Sequence, residues 1–169
     1  WYDYRGYGYS TGTAHFEALQ TDALRMFNAS AKRAGGPGHV VVLGYSMGTA
    51  IADYVALRRH VGGLILAAPW SNYVTASQYT DAKHAYRLTP AAAKDFDQIA
   101  MVRLIRVPLL VFQGTKDDQI PPSQGREVEL AAVSNDKRFV AIPGAKHNWL
   151  LENAYAQLAV HAFLHKLGK

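Results

Sequence analysis

The chain has 169 residues, of which 49% are hydrophobic and 18% charged, with a net charge of +5 and no cysteine. That length holds one domain with a substantial core, and the composition is globular, not disordered. The lack of cysteine excludes a disulfide framework, a zinc–thiolate site and a thiol nucleophile.

The first residues, Trp1-Tyr2-Asp3-Tyr4-Arg5, carry no initiator Met and no signal-peptide pattern, so the upstream start is expected outside this sequence. Residues 13–34 read as an amphipathic helix. Phe16, Leu19, Ala23, Met26 or Phe27, and Ala31 recur at helical spacing, with Thr13 as a cap and Glu17 in the first turn. Gly35-Gly36-Pro37-Gly38 ends it. Residues 40–45 form a short, continuous apolar run, which suits a strand buried on both faces. Residues 47–60 return to helical period through Ile51, Tyr54 or Val55, and Leu57 or Arg58.

Further buried strands follow at 64–68, ended by Pro69, at 108–112, and at 138–142, ended by Pro143-Gly144. A closing helix fits 150–167, with Leu151, Ala154 or Tyr155, Leu158 and Ala162 on one face. Strands alternating with helices predict an α/β domain, a mostly parallel sheet flanked by helices. The segment 70–105 interrupts the alternation and reads as a short helical cap over a site. No apolar run reaches the roughly 18–20 residues that span a bilayer. Basic residues are scattered, densest at Arg58-Arg59-His60 and around Arg103 and Arg106, which fits a solvated surface and no nucleic-acid partner.

Gly44-Tyr45-Ser46-Met47-Gly48 is the sharpest chemical signal. It leaves a buried strand and opens a helix, the context this motif requires. So tight a turn strains Ser46, and side chains at 44 and 48 are expected to collide with their neighbours. In return the Ser46 hydroxyl is exposed at the carboxyl edge of the sheet, and the Met47 backbone N–H lies at a helix N-terminus, where it can stabilise an oxyanion. A serine hydroxyl needs a base, and the base an orienting acid. Past the third strand come Asp117 and Asp118, which compete for the acid role. Past the fourth comes His147, in Gly144-Ala145-Lys146-His147-Asn148. Both loops lie on the strand edge where open parallel sheets bind ligands.

Other patterns are weaker. His15, His39, His60, His84, His161 and His165 read as ordinary loop or helix residues. His161 and His165 share a helix face but lack a carboxylate in register for a metal. Gly6-Tyr7-Gly8-Tyr9-Ser10-Thr11-Gly12 fails as a dinucleotide fingerprint because its third glycine falls one place late and no acidic residue follows at the required distance. A dehydrogenase is therefore disfavoured. Asp3 reads as turn chemistry before Gly6. No cofactor is called for.

These residues resemble the α/β-hydrolase superfamily, in a branch with lysophospholipase-like, serine-aminopeptidase-like and protein-depalmitoylase-like members. Asp3-Tyr4-Arg5-Gly6-Tyr7-Gly8-Tyr9-Ser10-Thr11-Gly12 is similar to the segment that ends that fold's fourth strand. Gly44 to Gly48 matches its nucleophile turn. Phe96-Asp97 through Val107-Pro108, with Gly114, Asp117 and Ile120-Pro121, matches its acid region, and Gly144 to Asn148 its histidine loop. The resemblance favours Asp117 over Asp118. It implies a serine hydrolase acting on an ester, thioester or amide through Ser46, His147 and Asp117. Tyr45, Trp70 and Tyr73 are expected at the substrate pocket; the aromatics of the cap, Trp70, Tyr73, Tyr79 and Tyr86, either shape an apolar acyl or leaving-group pocket or pack the cap itself.

It also implies that the chain is the C-terminal portion of a longer hydrolase. Three strands, a helix and a His-Gly loop supplying a second oxyanion donor would precede it. The strand at 40–45 would then present a bare edge, open to self-association, and the fragment alone would be weak or inactive. A non-catalytic binding module on the same fold is the alternative. A small acyl substrate is the expected partner, the cytoplasm the expected location, and membrane association is left open.

Overall fold

The computed structural model describes residues 2–71 and 97–169. Four strands form one all-parallel sheet in the order β1-β2-β3-β4: β1 (Val41–Tyr45), β2 (Gly63–Ala67), β3 (Leu109–Gly114) and β4 (Lys137–Ile142). Among the described residues the α-helices are α1 (Phe16–Arg33), α2 (Gly48–Arg58), α3 (Gln98–Val102), α4 (Pro122–Ala131) and α5 (Ala154–Lys166). Each strand lies within two residues of its expected bounds, because a continuous apolar run cut off by Gly or Pro leaves little freedom in where a buried strand ends.

Side chains alternate across the sheet. Ile65, Ala67, Leu110 and Phe112 face α5, with Ala156, Ala159 and Phe163. Leu64, Leu66, Leu109 and Val111 face the other layer, with Ala52 of α2, Val102 of α3 and Val128 of α4. α1 packs outside α2 through Leu19, Ala23, Phe27 and Ala31 against Ile51 and Val55. A side chain such as Leu66 or Phe112, fully removed from water, contributes about 1.5–3 kcal/mol. Both faces of the central strands β2 and β3 are thus covered, whereas the outer strands β1 and β4, expected to be buried, are only partly so, with Leu43 exposed. Among the described residues no helix is long and apolar enough to cross a membrane.

Several expectations are revised. α1 begins at Phe16 with His15 at its N-cap and no side-chain cap bond, so Thr13 does not cap it. Phe27, not Met26, points inward; Met26 is 40% exposed. α4 carries no apolar period strong enough to read from sequence. In α5 the buried residues are Ala156, Ala159 and Phe163, whereas Tyr155 and Leu158 are 62% and 65% exposed. That helix is apolar on most sides, so periodicity could not set its rotation. The small Ala156 and Ala159 lie against the sheet, and Asn153, accepting from the Tyr155 amide, caps the start. Most of the expected cap, including Tyr73, Tyr79 and Tyr86, lies outside the described residues. Of its described part, Val102 and Ile105 are buried in the core under β2 and β3.

The two glycines around Ser46 differ. A Cβ on Gly44 would run into the Gly48 carbonyl oxygen and sit 2.6 Å from Thr49 Cα, both backbone atoms. A Cβ on Gly48 would meet only the Tyr4 hydroxyl, at 3.2 Å. The expected collision therefore applies to position 44. Gly44→Ala should lose about 2 kcal/mol or more, as overpacked sites do, and Gly48→Ala clearly less. Urea denaturation of the two variants measures this, and equal losses would contradict it.

Candidate active site

β1, β3 and β4 run parallel, so the loops leaving their carboxyl ends share one rim. Ser46 leaves β1 with φ +52°, a left-handed conformation uncommon outside glycine. The turn is held on both sides. The Ser46 amide donates to the Ala67 carbonyl at 2.9 Å, and its carbonyl accepts from the Thr49 amide at 2.9 Å and from Thr49 Oγ1 at 2.6 Å. Met47 occupies the N-cap of α2 in helical conformation. Its N–H stands at a helix start, where backbone donors lack intrahelical acceptors.

His147, 3% exposed, reaches Ser46 from the far side of the sheet. Its Nε2 lies 3.0 Å from Ser46 Oγ, and its Nδ1 lies 2.9 and 3.1 Å from the two Asp117 oxygens. A carboxylate only accepts, so Nδ1 carries the proton toward Asp117, and Nε2 is left to accept from the Ser46 hydroxyl. Asp117 Oδ1 also accepts from the Gln119 and Ile120 amides at 3.0 and 2.8 Å, and Oδ2 from Gln113 Nε2 at 2.7 Å. Both oxygens thus face donors only, and the carboxylate is aimed at the ring by its own loop.

Asp118 points elsewhere. Its side chain is 54% exposed, 3.7 Å from Lys146 Nζ, and Oδ1 lies 3.5 Å from the His147 amide. Hydrogen bonding from its own backbone holds this carboxyl below the usual carboxylate range, with the His147 amide and nearby positive charge adding to the effect. Of the adjacent pair, Asp117 reaches the ring and Asp118 ties the loop.

The pocket candidates are placed differently. Tyr45 directs its hydroxyl to the His147 carbonyl, donating at 2.7 Å. Trp70 is buried with Ala50 and Ile120, against Phe16, Met47 and Met101. Tyr73 lies outside the described residues. Asp3 accepts from the Tyr9 amide at 3.1 Å through its carboxylate, and from Ser10 Oγ at 2.9 Å through its carbonyl, which is turn chemistry. Among the described residues, no group of three or more His, Asp or Glu side chains is arranged to hold a metal ion.

A buried polar chain under the site was not anticipated. Gln98 Oε1 accepts from the Trp70 amide at 3.1 Å and lies 3.0 Å from Thr49 Oγ1, while its Nε2 donates to Asp53 Oδ2 at 2.7 Å. Asp53 is fully buried, and its Oδ1 has no partner among the described residues. The available signal was an acid inside the otherwise apolar stretch Ala50 to Val55. Gln113 similarly ends the apolar run of β3.

Three comparisons bear on this chain. Residues 1–99 match the family model of serine aminopeptidase, S33. Human protein ABHD12B is 31% identical over 186 residues, a match covering 97% of this chain and 51% of that protein. The chain thus spans about half the length of the curated relatives it matches. Among solved structures, a thermophilic esterase from Thermogutta terrifontis is similar with a TM-score of 0.71 at 20% identity, covering 99% of this chain and 79% of that one. A monoacylglycerol lipase from Paleococcus ferrophilus gives 0.67 at 18%, covering 98% and 80%.

Burial pushes the Asp53 carboxyl up to about 8, only partly offset by the Gln98 hydrogen bond. The unfolded chain ionises this group near 3.8, so the unfolded state gains charge first as pH rises. The contribution of Asp53 to stability is full below about pH 4, declines through neutrality and levels off above about pH 8. Asp53→Asn should remove that component. The stability difference between wild type and variant should change on the order of 1–4 kcal/mol from pH 4 to 8, read from urea midpoints. A pH-independent difference would show that Asp53 is ionised in the fold.

Proposed function

The chain belongs to the serine aminopeptidase S33 family of α/β-hydrolases, and we propose that it is a serine hydrolase working through an acyl-enzyme on Ser46. The observation that carries this reading is one buried imidazole, 3.0 Å from a strained serine hydroxyl on one side and 2.9 Å from a donor-surrounded carboxylate on the other. In the reaction, Ser46 Oγ attacks the acyl carbon as its proton passes to His147 Nε2. Asp117 holds the ring and stabilises the imidazolium that forms. The oxyanion develops beside the Met47 N–H at the start of α2. Nε2 then protonates the leaving oxygen, sulfur or nitrogen. Water, deprotonated by the same Nε2, releases the acid and restores Ser46.

The substrate class is a carboxylic ester, thioester or amide, since any of these offers the carbonyl this chemistry needs. The names of the similar structures, an esterase and a monoacylglycerol lipase, support an ester. Removing the hydroxyl, the ring or the carboxylate separately should each be severe, because the three act as a unit.

A fluorophosphonate probe should label this chain at Ser46, located by peptide mass, and Ser46→Ala should abolish labelling. Asp117→Asn should lower turnover of an activated ester by about 10⁴-fold, because the ring loses its orienting acceptor, while Asp118→Asn should stay within a few-fold. Label that persists in Ser46→Ala, or a deeper loss at Asp118 than at Asp117, would count against the assignment. Ligand binding without labelling would favour a non-catalytic module.

A further inference from the structure

Ser46 and His147 come from opposite edges of the sheet. Ser46 follows β1 and His147 follows β4, with β2 and β3 between them. At about 4.8 Å per strand, the histidine loop must reach across some 14 Å to meet the serine. Asp117, which leaves β3, anchors the ring from the near side. On the far side stands Tyr45, the residue directly before Ser46.

Tyr45 touches His147 twice. Its hydroxyl donates to the His147 main-chain carbonyl at 2.7 Å. Its ring lies 5.2 Å from the imidazole, centroid to centroid, tilted by 31°. The backbone of the base and the plane of its ring are therefore both referred to the turn that carries the nucleophile. Resting on the function proposed above, we infer that Tyr45 is a positioning residue: its hydroxyl and ring latch the histidine loop onto the nucleophile turn and set the Ser46–His147 distance. The inward half of the serine turn thus addresses the base, where a place at the substrate pocket had been expected.

The donor is well suited to a latch. Burial, reinforced by the nearby Asp117, Glu152 and Asp118 charges, pushes the Tyr45 hydroxyl up to about 12, so it keeps its proton across the working range. The imidazolium that forms during turnover would also face the Tyr45 ring, a favourable arrangement for a cation over an aromatic surface. Tyr45→Phe keeps the ring and removes the hydrogen bond. Tyr45→Leu removes both.

The test compares wild type, Tyr45→Phe and Tyr45→Leu by three measurements on the chain. The first is kcat and KM on a small activated ester. The second is the line width of the His147 Nδ1–H proton in NMR. The third is the thermal midpoint. A displacement of order 1 Å costs about 10²-fold in rate. Tyr45→Phe should therefore lower kcat about 10- to 100-fold with KM within two-fold and a folded protein. The Nδ1–H resonance should broaden as the ring gains freedom, and Tyr45→Leu should exceed Tyr45→Phe in both.

Unchanged kcat and line width in Tyr45→Phe would overturn the inference. So would a rise in KM with kcat intact, which would return Tyr45 to the substrate pocket. If wild type turns over no ester, an outcome that the expected lack of a second oxyanion donor allows, the fluorophosphonate label at Ser46 decides the hydrolase reading. The NMR comparison then decides the latch: a broadened resonance in Tyr45→Phe upholds it, and an unchanged one refutes it.

Discussion

A serine held in left-handed backbone between a strand and a helix is the constraint on which the rest of this structure depends. Such a residue persists only where its surroundings over-determine it. Here the Ala67 carbonyl holds its amide, Thr49 holds its carbonyl twice, and Gly44 leaves the space that a side chain would fill. The other non-glycine residues of positive φ among those described, Ala68 at +50° and Trp149 at +72°, stand in the loops just past β2 and β4. Backbone strain is thus gathered at the carboxyl rim of the sheet, beside the hydroxyl it exposes.

A parallel sheet delivers its loops to the same end, and this brings residues distant in sequence within reach of each other. Ser46 and His147 are 101 residues apart and come from the two outer strands. Each of the three side chains is held by something besides its partner. The serine is held by its turn, Asp117 by the Gln119 and Ile120 amides and Gln113, and His147 by Tyr45 through its carbonyl. In the reaction proposed above, groups preorganised in this way would need no rearrangement as charge develops.

Polar side chains sit beneath this rim at a cost that hydrophobic residues would avoid. Asp53, Gln98 and Gln113 are almost wholly removed from water. Their hydrogen bonds join α2, α3 and the residue Trp70 after β2 through one amide, and β3 to the acid loop through another. An apolar core would hold these elements together without fixing their register, whereas directional bonds tie Thr49 and Asp117 to particular neighbours. Asp53 and Gln113 are the weak members of the set, since Asp53 Oδ1 and Gln113 Oε1 have no partner among the described residues.

The sequence by itself determined the sheet and which polar residues stand near its rim. Apolar runs cut by Gly and Pro located four strands, the Gly-x-Ser-x-Gly turn located a serine in left-handed backbone between strand and helix, and strand ends located a carboxylate pair and one histidine. These signals are local, set by a few consecutive residues. Only the tertiary structure decided what depends on packing across the chain. It set the rotation of α5, whose apolar residues lie on most sides. It drew Asp53 and Gln98 into one buried chain and gave the Tyr45 hydroxyl to a histidine 102 residues away. Such choices turn on which distant backbone stands opposite a side chain, and no window of neighbouring residues carries that information.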